Sequence, residues 1–125
     1  MDTQVLVWLM NDPRLGKETT RMLLDMSNNV SISYLSLFEL TIKASIGKLT
    51  WDTSVIEDLP RMGIELVMPA VKALRGYTIF NPASKDPFDN MIISVAHSKN
   101  SALVTSNPKI LAASASSLKV IDATK

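Results

Sequence analysis

The chain has 125 residues, of which 46% are hydrophobic and 20% charged, and its net charge of +1 excludes a globally basic nucleic-acid-binding surface. This length and composition predict one domain over residues 1–125, and with no transmembrane run and no signal peptide we expect a cytoplasmic protein that does not bind membranes. The absence of cysteine excludes a disulfide scaffold, a thiolate zinc site and a cysteine nucleophile, and the single histidine leaves little for imidazole chemistry. Any catalysis must therefore use carboxylates, hydroxyls, lysines or an oxygen-bound metal.

The N-terminal segment is predicted to form two helices. Asp2 precedes apolar residues at helical spacing, so it occupies the N-cap position of the first helix. Asp12 and Pro13 then predict the start of a second helix, with Asp12 as the cap and Pro13 in the first turn.

A strand that switches directly into a helix follows. Residues 30–33 alternate as a short strand should, and Ser36 and Glu39 have the spacing of a capping box. The helix that they open is predicted to end at Gly47.

The second half of the chain alternates further helices and strands. In order, it is predicted to contain a weak helix over 53–62, a strand over 64–68, a short helix over 70–77 and a loop over 81–84. A helix capped by Asp86, a strand over 102–105, a turn capped by Asn107, a linker over 112–117 and a strand over 118–121 complete it.

This alternation predicts an α/β fold with a mostly parallel sheet covered by helices on both faces. In such sheets, ligands bind beyond the C-terminal ends of the strands. Asp2, Glu39 and Asn107 follow strands or begin helices, and Asp89 lies in the first turn of its helix, so four oxygen-bearing side chains can converge there. Helix capping also explains each of these residues taken singly, and the two roles are compatible.

Convergent carboxylates repel one another unless a divalent cation lies between them. Mg²⁺ or Mn²⁺ fits such a site, because both prefer oxygen ligands, and phosphodiester hydrolysis is the chemistry that it would support. Lys43 follows Glu39 by four residues, which predicts either a surface ion pair or a cation directed at a phosphate.

Four segments carry a family resemblance. They are Asp-Thr-Gln-Val-Leu-Val-Trp at 2–8, Ser-Leu-Phe-Glu-Leu-Thr-Ile-Lys at 36–43 with Gly-Lys-Leu at 47–49, Lys-Asp-Pro-Phe-Asp-Asn at 85–90 and Leu-Val-Thr-Ser at 103–106. Together they resemble the PIN-domain ribonucleases, particularly toxins of the VapC type. The resemblance implies a three-layer α/β/α sandwich, an Mg²⁺ or Mn²⁺ site, RNA cleavage, a cognate antitoxin protein and a homodimer.

The resemblance also assigns residues to roles. By motif, Asp2, Glu39 and Asp89 match the family's first three acidic positions, Asp86 an accessory acid, and Thr105 and Ser106 the polar residues that lead into the fourth position. The chain departs from the family twice: Asn107 stands where the fourth acid is usual, and only Met1 precedes Asp2, so that either the first strand is truncated or the true start lies upstream.

The leading hypothesis is therefore a metal-dependent endoribonuclease acting as the toxin of a toxin-antitoxin pair. Asp2, Glu39 and Asp89 are the expected catalytic and metal-binding residues, with Asn107 as a further ligand and Lys43 directed at the phosphate. The alternative is a catalytically weakened PIN domain that binds RNA or a partner protein. A phosphoacceptor receiver domain fits the length, but the paired acids and the Lys-Pro pair that it needs are missing.

Overall fold

The computed structural model describes residues 1–10, 12–78, 85–112 and 118–125. Its helices are α1 (Thr3–Leu9), α2 (Lys17–Leu24), α3 (Tyr34–Ser45), α4 (Val55–Asp58), α5 (Val71–Gly76), α6 (Pro87–Ser98) and α7 (Pro108–Ala112). Its strands are β1 (Val30–Ser33), β2 (Ile64–Val67), β3 (Leu103–Thr105) and β4 (Val120–Asp122). Within these ranges, none of the helices has the length and apolar character needed to cross a membrane.

The strands form two parallel pairs, β1 with β2 and β3 with β4. The first two residues connect these pairs, because the Met1 amino group donates to the Ser31 carbonyl at 2.8 Å and the Asp2 amide donates to the Val104 carbonyl at 2.9 Å. These two residues bond to both pairs, although they are not part of an assigned strand. The parallel α/β class is confirmed.

Helices cover both faces of β3. Successive side chains of a strand point to opposite faces, and here Leu103 packs with Ile92 and Ile93 of α6, while Val104 packs with apolar residues of α1 and α2. The buried core therefore lies on both sides of the strands, as the sequence predicted.

Most predicted elements are confirmed within one or two residues. The weak helix over 53–62 consists of α4 followed by a 3-10 turn, Leu59–Met62, which ends at Gly63 with a φ of 74°. The loop over 81–84 and residues 113–117 of the predicted linker lie outside the described residues.

The predicted start of the second helix is wrong. Helix α2 begins at Lys17 with Gly16 as its N-cap, and no side chain caps it. The amides of Gly16 and Glu18 donate instead to the carbonyls of Ala123 and Lys125, at 2.9 and 3.1 Å. Asp12 lies in a turn and pairs with Arg14 at 2.6 Å, so the C-terminal segment, which the local pattern could not reveal, sets where this helix begins.

The predicted capping box of Ser36 and Glu39 is also wrong. Helix α3 begins at Tyr34, and its cap is Ser33, three residues before Ser36. The Ser33 side chain accepts a hydrogen bond from the Leu35 amide. Ser36 is fully buried inside the helix, and Glu39 lies past its first turn. The last residue of β1 caps the helix because the strand leads directly into it.

The last strand was predicted over 118–121, but it begins two residues later and ends one residue later, at Val120–Asp122. Its bounds follow from pairing with β3, in which Leu103 is opposite Val120 and Thr105 is opposite Asp122. Leu118 is buried in the core before the strand begins. The apolar pattern therefore located the segment, and the register with β3 set its limits.

Two adjacent leucines in α2 provide a matched test of this core. Leu23 is 3% exposed, whereas Leu24 is 45% exposed. We expect Leu23→Ala to lower the free energy of unfolding by about 2–5 kcal/mol through lost burial and a residual cavity, and Leu24→Ala to lower it by less than about 1 kcal/mol. Urea denaturation measures both values, and equal losses at the two positions would contradict the packing described.

Candidate active site

The predicted site residues line one cleft of about 770 Å³. The cleft lies where α1 and α6 begin, beside α3 and beyond the end of β3. Among the predicted residues, those that line it are Asp2, Glu39, Lys43, Asp86, Asp89, Ser106 and Asn107. Thr105 lies behind it, fully buried, and contacts Asp2. The structure thus brings the predicted residues to one place.

Asp2 is the most constrained carboxylate of the cleft. It is 4% exposed, and it caps α1 as predicted, since its Oδ1 accepts the Thr3 amide at 2.6 Å. Its Oδ2 accepts the Thr105 hydroxyl at 2.7 Å. Burial raises the pKa of Asp2, the hydrogen bonds from Thr105 and Thr3 oppose that rise, and the charge of Glu39 adds to it. The carboxylate therefore sits where additional positive charge would stabilise its ionised form.

A chain of hydrogen bonds connects Asp2 to Asp89. The Thr105 hydroxyl, which donates to Asp2, accepts the Asn107 amide N–H at 3.0 Å. The Asn107 side-chain Nδ2 then donates to Asp89 Oδ2 at 3.1 Å. These bonds fix the position of two acids that are distant in sequence and come from different helices.

Glu39 is only 4% exposed, although it lies within a helix. Its Oε2 is 3.2 Å from the Lys43 ammonium group, one helical turn further on. Lys43 is 43% exposed, so solvent screens this pair and its contribution to stability is small. Of the two roles predicted for Lys43, the ion pair is present in the structure.

Asp86 and Asp89 both lie at the start of α6. Asp86 is the N-cap, and its Oδ1 accepts the Phe88 amide at 2.9 Å, while Asp89 lies in the first turn. The partial positive charge of a helix N-terminus favours carboxylates at both positions. Both side chains also line the cleft, so the capping role does not remove either from the site.

Arg14, Lys48 and Thr3 also line the cleft and were not among the predicted site residues. Lys48 brings positive charge to its wall, and Arg14 lies there with its guanidinium group paired to Asp12. Thr3 is 5% exposed, and its hydroxyl has no hydrogen-bond partner among the described residues. Its position next to Asp2 was the one feature of the sequence that could have indicated Thr3 as a site residue. No sequence pattern places Arg14 in the cleft, because only the tertiary fold brings it there.

The donors of the cleft suit a hard divalent cation. Asp2, Glu39 and Asp89 offer carboxylate oxygens, and the unsatisfied Thr3 hydroxyl adds a polar oxygen beside them. Within the described residues, however, no three acidic or histidine side chains are grouped closely enough to hold a metal ion as they stand. In this arrangement Glu39 pairs with Lys43, and Asp89 accepts a hydrogen bond from Asn107.

Fold and cleft together define a parallel α/β domain with an acidic site beyond its strands. The sequence model of the PIN domain family matches residues 1–115, and the chain belongs to that family. PIN domains are typically nucleases that act on RNA and generally use divalent metals. A search of curated proteins finds no match to the chain.

Thr105 offers a test of the network behind the site. Thr105→Val keeps the shape but removes the hydroxyl that donates to Asp2 and accepts from Asn107. We expect it to lower the free energy of unfolding by about 1–3 kcal/mol, because a buried carboxylate loses a donor. Thr105→Ser retains the hydroxyl and serves as the control in urea denaturation. Equal stability of the valine variant and the wild type would contradict the network.

Proposed function

We propose that the chain is a metal-dependent endoribonuclease that acts in the cytoplasm as the toxin of a toxin-antitoxin pair. The observation that supports the reaction is the placement of Asp2, Glu39 and Asp89 in a single cleft of a PIN domain. The toxin role rests on the resemblance of four segments to VapC-type toxins. We treat residues 1–125 as one domain, since β4 pairs with β3 and Ala123 is fully buried.

In this proposal, Asp2, Glu39 and Asp89 hold one Mg²⁺ or Mn²⁺ ion, with Asn107 at the fourth position of the site and Asp86 beside it. When bound, the cation supplies Lewis-acid stabilisation of the charge on the reacting phosphate. Thr105 holds the Asp2 carboxylate in place through its hydroxyl, and Ser106 lines the cleft after it. Because Asp2 and Glu39 are buried, water solvates their charges poorly, and a bound cation would stabilise those charges.

The basic side chains of the cleft suit an RNA backbone. Arg14, Lys43 and Lys48 line it together with the acids. Such residues bind phosphates without reading base sequence. In this proposal Lys43, whose ammonium group is 3.2 Å from the Glu39 carboxylate, meets the phosphate beside that acid. These contacts hold the substrate while the acids organise the reacting centre.

Asp89→Asn tests the assignment. The change keeps the size of the side chain and removes the charge, so we expect Mn²⁺-stimulated cleavage of a mixed RNA pool to fall by more than about 100-fold. Residues that only orient metal ligands already cost about 10- to 100-fold when changed. Asp58→Asn, at a side chain that is 55% exposed and outside the cleft, is the matched control. Wild-type cleavage by the Asp89 variant would sink the proposal.

A second function deserves the same assay because of Asn107. Its amide, rather than a fourth carboxylate, faces Asp89, which favours a catalytically weakened PIN domain that binds RNA or a partner protein. Asn107→Asp separates the two functions in the cleavage assay above. Cleavage by the wild type supports the nuclease, whereas cleavage by the aspartate variant alone supports the weakened domain.

The proposed partners, a second copy of the chain and an antitoxin, need an exposed apolar surface. Tyr34, Phe38 and Ile42 recur every four residues along α3 and are 48%, 59% and 38% exposed. Residues at this spacing share one face of a helix. An apolar groove of about 420 Å³ lies nearby, between α5 and the start of α6. This face is suited to bury side chains in a homodimer.

Phe38→Glu tests the homodimer. A charge at the centre of the α3 face opposes burial, so we expect sedimentation equilibrium to show weaker association by about tenfold or more, at 1.4 kcal/mol per tenfold. Met26→Glu, at an apolar side chain that is 70% exposed and outside this face, controls for the added charge. Equal association of both variants and the wild type would place the dimer contact elsewhere.

A further inference from the structure

Three bonds determine the orientation of Asn107. Its backbone N–H donates to the Thr105 hydroxyl at 3.0 Å, and its Oδ1 accepts the Lys109 N–H at 3.0 Å as the cap of α7. Its Nδ2 then lies 3.1 Å from Asp89 Oδ2. If the amide were flipped, its NH₂ group would face the Lys109 N–H, donor against donor, and its oxygen would face the Asp89 carboxylate, acceptor against acceptor. Both ends of the side chain therefore enforce the same orientation.

This orientation has a consequence for any cation in the cleft. The side-chain oxygen of Asn107, which is the atom able to ligate a metal, faces the backbone of α7. The atom facing Asp89 is a hydrogen-bond donor with partial positive charge, and bonds of this kind to a carboxylate are stronger than neutral ones. The amide therefore satisfies part of the Asp89 charge that a cation would otherwise satisfy.

We propose that Asn107 is a positioning residue that competes with the cation for Asp89 instead of serving as a ligand. This inference rests on the proposed metal site. A cation that ligates Asp89 through Oδ2 displaces the Nδ2 donor from that oxygen, so part of its binding free energy offsets the loss of this hydrogen bond. The substitution Asn107→Asp would favour cation binding instead, because two facing carboxylates repel each other without a cation and both attract a cation that lies between them.

The competition predicts that a shorter capping residue binds metal more tightly. Serine at 107 can still accept the Lys109 N–H as an N-cap, but its hydroxyl is too short to reach Asp89 as the amide does. We expect isothermal titration of the full chain with MnCl₂ to give a Kd for Asn107→Ser about tenfold lower than that of the wild type, the scale of one lost bond to a charged group. A ligand role for Asn107 predicts a higher Kd.

Two further variants make the test specific. Asn107→Asp is expected to melt at a lower temperature than the wild type without metal and to gain more from added Mn²⁺. In an Asp89→Asn background, the serine substitution is expected to leave the Kd unchanged, since the bond that it removes ends on the Asp89 carboxylate. An effect of serine that persists in this background overturns the competition.

The outcomes also separate this inference from the proposed function. A Kd for Asn107→Ser equal to or above the wild-type value overturns the role of Asn107, while RNA cleavage that depends on Asp89 leaves the nuclease standing. If neither the wild type nor any variant binds Mn²⁺, the metal site itself is wrong and the inference falls with it.

Discussion

The structure depends on the backbone bonds of its first two residues. Among the described residues, the two strand pairs share no ladder. The Met1 amino group donates to the Ser31 carbonyl on one side, and the Asp2 backbone amide donates to the Val104 carbonyl on the other. Burial lowers the pKa of the Met1 amino group to about 6. The bond that joins Asp2 to β3 also brings its carboxylate to Thr105, so the same two residues connect the strands and begin the site.

A site built in this way carries an electrostatic cost. Asp2 and Glu39 are both almost fully buried, and burial together with the charge of Glu39 raises the pKa of Asp2. Each acid of the proposed metal site has an internal donor, which is Thr105 for Asp2, Lys43 for Glu39 and Asn107 for Asp89. These donors stabilise the fold in the absence of a cation.

Interactions between near neighbours in sequence made much of the fold predictable. The caps at Asp2 and Asp86 bond to amides one or two residues away, and the pattern of residues 30–33 set β1 correctly. The errors fall where distant residues decide. The C-terminal segment sets the start of α2, and pairing with β3 sets the limits of β4. For the same reason, the acids of the cleft could be named from motifs, but the place of Arg14 in its wall could not.

Asn107 shows how local and distant constraints differ at one residue. Capping α7 requires an oxygen two residues before Lys109, and asparagine, aspartate and serine all meet that need. The choice among them is decided by Asp89, which is 18 residues away in sequence and 3.1 Å away in space. An amide satisfies both neighbours at once, since it accepts at one end and donates at the other. A carboxylate at this position would cap α7 but would need a cation to offset its repulsion from Asp89. The side chain at position 107 therefore determines how stable the site is without a metal.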